Sequence, residues 1–187
     1  MSLSTSVSDD LQKPSAIGVI PTDTVYGVVA RAADLAAVAR LYALKRRETK
    51  PGTIIAASLD QLELLGLKHR YLKAVEQFWP GAVSVIVPCA EPALAYLHQG
   101  THSLAVRIPD NAELQELLET TGPLLTSSAN QPGQPTAVTL KQARDYFDGQ
   151  VDFYADGGDL SNRQPSTIIR IVDDAIEVIR PGAVTIE

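Results

Sequence analysis

Short apolar runs that stop at polar, often proline-bearing clusters recur along this chain, and segments of helical spacing lie between them. AIGVI (16–20) runs into Pro21, as a buried strand would. TIIAA (53–57), SVIVP (84–88), SLAVRIP (103–109), PLLTS (123–127) and VDFYA (151–155) read the same way. TIIRIVDDAIEVI (167–179) reads as two strands joined at Asp173 and Asp174. Between these runs, Asp34 can cap a helix on which Leu35, Val38, Leu41 and Tyr42 repeat, and Pro51 lies beyond its end. Residues 60–79 read as helical pieces with Leu62, Leu65, Leu72, Val75 and Phe78 turned inward. Asn111 can cap a helix carrying Leu114, Leu117 and Leu118, and Thr139 with Gln142 has the spacing of a capping box for a helix through Phe147. Residues 1–14, polar and rich in serine, read as a flexible N-terminal arm, which leaves 15–187 as one domain. Short strands alternating with helices predict an α/β domain on one twisted sheet, with polar loops at the strand ends as the natural site.

Composition narrows the function. At 187 residues and 45% hydrophobic, the chain supplies one full core but not two. No apolar run approaches the roughly 18 residues of a membrane span, and MSLSTSVSDD lacks the features of a signal peptide, so a cytoplasmic protein is expected. One cysteine, Cys89, rules out an internal disulfide or a zinc thiolate cluster, and His69, His98 and His102 complete no metal-ligand spacing. The net charge of −6 disfavours polyanions over the surface as a whole, so a nucleotide or RNA site must be a local basic patch. Residues 40–50 form such a window, with Arg40, Lys45, Arg46, Arg47 and Lys50 against Glu48. The same cations would also suit the last turn of a helix.

Four polar clusters carry the chemistry: PTDTVYG (21–27), KRRETK (45–50), TSSANQPG (126–133) and QPSTIIR (164–170). Each alone fits an ordinary turn or cap. Together with Arg107 and Arg180, both near a proline at a strand end, they form a complementary set. Arginine grips a carboxylate or phosphate by paired hydrogen bonds, lysine supplies a compact charge near phosphate oxygens, and hydroxyls orient a small polar substrate. Neither GxxxxGK[ST] nor GxGxxG occurs, so P-loop and Rossmann readings are unsupported.

These motifs resemble the YrdC/TsaC family of threonylcarbamoyl-AMP synthases in its single-domain form, from about residue 15 onward. PTDTVYG matches that family's opening signature, Lys45 with Arg47 its KxR pair, and Ser128 with Asn130 its SxN pair. FWPG (78–81), VRIP (106–109), DGG (156–158), PST (165–167) and RPG (180–182) follow in the family order. The resemblance implies a twisted mixed β-sheet flanked by helices around a concave basic cavity. It also implies the reaction of L-threonine, bicarbonate and ATP to threonylcarbamoyl-AMP and pyrophosphate, with Mg2+ accompanying ATP and no dedicated metal site. Lys45, Arg47 and Lys50 then look like the catalytic triphosphate holders, with Ser128, Asn130 and Arg180 also on the ATP side. Thr22, Thr24, Arg107 and Ser166 look like the threonine side, Arg107 suiting the carboxylate. The implied partner is a TsaD-type transferase complex acting on tRNA.

The chain departs from the family pattern in places. KPSAIGVI replaces a glycine pair, AVS (82–84) replaces a proline and threonine arrangement, and Gly52 stands where leucine is usual. The interval from Lys45 to Lys50 is one residue shorter than in most relatives, which leaves open whether Arg46 or Arg47 meets phosphate. Two other readings fit the residues: a double-stranded RNA, tRNA or ribosome-associated factor without synthase activity, and a former of another acyl adenylate, as in hydrogenase maturation proteins.

Overall fold

A computed structural model describes residues 5–46 and 51–186. The chain opens with α1 (Thr5–Gln12), a hairpin of β1 (Ile17–Pro21) and β2 (Tyr26–Arg31), then α2 (Leu35–Lys45) and β3 (Thr53–Ile55). Helices α3 (Leu59–Leu65) and α4 (His69–Lys73) lead to β4 (Val83–Pro88), and the short α5 (Ala95–His98) leads to β5 (Ser103–Arg107). Next come α6 (Ala112–Thr121), β6 (Leu124–Ser128), α7 (Leu140–Phe147), β7 (Phe153–Tyr154) and the hairpin of β8 (Thr167–Val172) and β9 (Ala175–Arg180). Among the described residues the nine strands join one mixed sheet in the order β7-β1-β2-β6-β3-β5-β4-β8-β9. The β1–β7, β3–β5 and β4–β8 pairs are parallel and the rest antiparallel.

The alternation of side chains along a strand divides the core in two. On one face, Val28, Ile54, Val85, Val106 and Leu125 pack with Val38 and Leu41 of α2 and with Leu62, Leu72 and Leu97 of the shorter helices. On the other, Val29, Ile55 and Leu124 pack with Val7 and Leu11 of α1 and with Leu114, Leu117 and Leu118 of α6. One step of two along the strands from Val29, Ile55, Leu124 and Arg107 come Gly27, Thr53, Thr126 and Ala105, which line a cavity instead. Helices α1 and α6 thus cover one end of this face, and the functional cavity occupies the other.

Several elements differ from the sequence reading. The arm expected over residues 1–14 is helical over Thr5–Gln12, because Val7 and Leu11, four apart, find apolar partners on the sheet and α6. The sequence reading names no strand over residues 26–31, where β2 follows PTDT, with Tyr26, Val28 and Ala30 facing one core and Val29 the other. Leu35 is exposed rather than inward. The Gln142 side chain accepts from Val138 N, one residue before the cap position Thr139. Asp173 and Asp174 do join β8 to β9, both with positive φ, 50° and 62°, as a tight two-residue hairpin turn demands. Among the described residues no helix is long and apolar enough to cross a membrane.

Asp34 caps α2 as expected and also joins two segments, its Oδ1 accepting from Ala37 N at 2.9 Å and its Oδ2 from Ser15 N at 2.8 Å. Partial burial pushes its carboxyl up, but the amides of Ala37, Ser15 and Ala36 outweigh this and hold it below the usual carboxylate range. A carboxyl depressed on folding contributes stability above its ordinary pKa and loses it as pH falls through the lower folded value. Asp34→Ala is therefore expected to lower stability by about 1 kcal/mol at neutral pH. The gap from wild type should narrow below about pH 4. Urea titrations at both pH values measure it.

Candidate functional site

The cavity on the uncovered half of the sheet has a volume of about 650 Å3, within the roughly 300–1,000 Å3 usual for small-molecule sites. Its walls come from places distant in sequence: the 22–27 turn, the 51–53 segment, the strand end at Thr126–Ser128, Ser103, Ala105 and Arg107 of β5, and the β8–β9 side at 165–168 and 179–180. Six of the residues expected at a site therefore face one space: Thr22, Thr24, Arg107, Ser128, Ser166 and Arg180. Two arginines, Arg107 and Arg180, are the charged residues among the described cavity lining.

The PTDT turn is held from within. Thr22 Oγ1 donates to Val25 O at 2.7 Å and lies 3.1 Å from Thr24 Oγ1, so the two buried hydroxyls share one network. Arg163 Nη1 donates to Thr22 O at 2.9 Å and braces the turn from the far loop. Asp23, between the threonines, accepts from Arg107 Nη2 at 2.9 Å, with the two side chains only 6% and 4% exposed. Burial pushes the Asp23 carboxyl up while Arg107 pulls it down, and burial lowers Arg107 against the pull of Asp23. Arg107 Nη1 lies 3.4 Å from Ser84 Oγ, which is 2.9 Å from Ser166 Oγ. Arg107 Nε, fully shielded, has no hydrogen-bond partner among the described residues. Asp23 and Ser84 were missed as site residues in the sequence, although Asp23 sits inside the signature, because PTDT alone explains an aspartate as a turn residue.

Lys45 and Asn130 lie beside Ser128 but outside the cavity lining. The buried Lys45 ammonium, at the last turn of α2, donates to the carbonyl oxygens of Ser128 and Asn130, each at 2.6 Å. Ser128 Oγ donates to Asn130 Oδ1 at 2.6 Å, and Asn130 Nδ2 donates to the carbonyls of Gln131 and Gln134 at 3.0 Å. This set fixes the loop after β6, with Ser128 at the cavity and Lys45 and Asn130 outside its lining. Arg47 and Lys50, the other two cations expected to hold phosphate, lie outside the described residues.

Two glycine motifs let the loops close on one another. A Cβ on Gly157 would fall 2.3 Å from Pro21 Cβ, so DGG packs directly on the PTDT turn. There Gly157 N donates to Tyr26 Oη at 2.8 Å, and the phenol donates to Gly158 O at 2.9 Å. A Cβ on Gly182 would fall 2.3 Å from Pro165 O, so RPG lies against PST. Arg180 Nη2 donates to Ser166 O at 2.6 Å across that contact.

Fold and cavity define an α/β protein whose concave pocket gathers segments from strand ends and carries two arginines among its described lining. The family model of the Sua5/YciO/YrdC domain, described as "Telomere recombination", matches residues 11–182, and the chain belongs to that family. It is 32% identical over 182 residues to the threonylcarbamoyl-AMP synthase of Bacillus subtilis (strain 168), covering 95% of this chain and 53% of the relative. It is 37% identical over 170 residues to the threonylcarbamoyl-AMP synthase of Pseudomonas aeruginosa, covering 88% of this chain and 91% of that one. The crystal structure of P. abyssi Sua5 complexed with L-threonine superposes with a TM-score of 0.81 at 28% identity, over 94% of this chain and 53% of that one. The chain thus spans about half the length of the Bacillus and Pyrococcus relatives.

Proposed function

We propose that this protein is an L-threonylcarbamoyladenylate synthase, a nucleotidyltransferase that condenses L-threonine, bicarbonate and ATP. The observation that supports this reading is that the four residues expected on the threonine side, Thr22, Thr24, Arg107 and Ser166, share one cavity with Ser128 and Arg180, two of those expected on the ATP side. Relatives that share most of this chain bear the synthase name, and one was crystallised with L-threonine.

The chemistry follows from what such a pocket can do. Arg107, with the Ser84–Ser166 hydroxyl pair, receives the threonine carboxylate, and the Thr22–Thr24 turn receives its polar side chain or amine. The amine nitrogen bonds to the carbon of bicarbonate or carbon dioxide and loses a proton; bicarbonate also loses hydroxide. A carbamate oxygen then bonds to the α-phosphorus of ATP as the bond from that phosphorus to the departing pyrophosphate oxygen breaks. No protein nucleophile is required. Positioning the two reactants and meeting phosphate charge are the protein's contributions, and excluding water protects the carbamate and its mixed anhydride.

Arg180 and Ser128 serve the nucleotide, Lys45 and Asn130 hold Ser128 in place, and Arg47 and Lys50 supply phosphate-binding charge. Mg2+ accompanies ATP, held chiefly by the substrate phosphates and water. Residues 15–187 act as one cytoplasmic catalytic domain, and the adenylate passes to a TsaD-type transferase that modifies tRNA. Pyrophosphate release by the purified protein tests this: it is expected to require both L-threonine and bicarbonate. Release that persists when threonine is omitted would contradict the synthase reading.

A further inference from the structure

The Arg107 guanidinium reaches the cavity with its charge already met from behind. Asp23 takes Nη2 at 2.9 Å, does not itself line the cavity, and is shielded to the same degree as its partner. A buried pair of this kind is a poor stabiliser relative to apolar side chains of the same size, because two charges must leave water. What it does supply is orientation. With Nη2 fixed by Asp23 and Nη1 beside Ser84 Oγ, the plane of the guanidinium is set by contacts from the PTDT turn and from β4. Its Nε–H remains without a protein partner among the described residues, although it is wholly shielded.

Asp23 is itself immobilised. It sits between Thr22 and Thr24, whose hydroxyls close the turn, and Arg163 fixes the turn's backbone at Thr22 O. A chain of contacts therefore runs from Arg163 through PTDT to Arg107 at the cavity.

Resting on the amino-acid reading of this cavity, we propose that Asp23 is a positioning residue for recognition of the substrate carboxylate: it holds Arg107 so that the guanidinium is presented to that group. Asp23 acts through Arg107 and does not touch substrate. Its removal weakens amino-acid binding selectively and leaves the nucleotide side intact.

The test is a double-mutant cycle of Asp23→Asn and Arg107→Gln in the full chain. Each protein is assayed by pyrophosphate release and by calorimetric titration with L-threonine and, separately, with ATP. In Asp23→Asn the KM and Kd for L-threonine are expected to rise about tenfold or more, the worth of a charge-assisted hydrogen bond. Those for ATP should stay within about twofold of wild type. Asp23→Glu is expected to recover part of the loss. On the Arg107→Gln background, Asp23→Asn should change threonine binding by less than about twofold, since the group it orients is gone.

A folded Asp23→Asn protein with wild-type threonine affinity would overturn the proposal, as would equal weakening of threonine and ATP. Independent, multiplying effects in the cycle would also overturn it. If Asp23→Asn alone fails to fold, comparing the double variant, which buries no unpaired charge, with Arg107→Gln decides by the same criterion. A wild-type protein that binds no L-threonine would overturn the amino-acid reading itself, and the proposal with it.

Discussion

Arg107→Gln is expected to lower unfolding free energy by about 3–5 kcal/mol, because it leaves the buried Asp23 carboxylate without its counter-charge. The pair is 2.9 Å apart with both side chains nearly inaccessible, so water cannot replace the lost partner without opening the PTDT turn. A domain of ordinary stability survives such a loss but sits close to its limit. Adding Asp23→Asn removes the stranded charge, and most of the lost stability should return. Turnover with threonine should not return, since the group proposed to bind the carboxylate stays absent. Equilibrium urea unfolding of the two variants separates these effects; a single variant as stable as wild type would mean that the pair is not held as described.

Gly182→Ala is the second large effect. A methyl there would fall 2.3 Å from Pro165 O and 2.6 Å from Ser166 C, both rigid backbone atoms. The RPG exit or the PST loop must move apart, and overpacking of this kind costs about 1–3 kcal/mol. Function should suffer more than stability. Arg180 and Ser166 face the same cavity from the two sides of this contact, and a displacement of about 1 Å between site groups lowers a rate by about a hundredfold. Melting curves beside steady-state kinetics measure both; full activity in Gly182→Ala would show that the two loops are not coupled.

The legible and the illegible parts of this molecule differ for physical reasons. Helix starts at Asp34, Asn111 and Thr139 were readable because capping is a local transaction between a side chain and the next turn's amides. The β8–β9 hairpin was readable for the same reason, its two aspartates tolerating positive φ. α1 was not, since its helix depends on Val7 and Leu11 meeting α6 and the sheet, contacts between residues about a hundred positions apart. The candidate site divides likewise. Thr22, Thr24, Arg107, Ser128, Ser166 and Arg180 stood out by motif, and the fold gathers them at one cavity. That Lys45 grips the loop carbonyls of Ser128 and Asn130, and that Arg107 already has a carboxylate partner, depends on packing between strands far apart in sequence.

The central claim, that this cavity joins threonine, bicarbonate and ATP into an adenylate, is tested most directly by product detection. The purified chain is incubated with ATP, bicarbonate and labelled L-threonine, and the mixture is resolved promptly by mass, with the Arg180→Ala protein run alongside. Labelled threonylcarbamoyl-AMP, formed with pyrophosphate, dependent on all three substrates and greatly reduced in the variant, is the predicted result. ATP consumed without any labelled adenylate, or an adenylate formed without threonine, would contradict it.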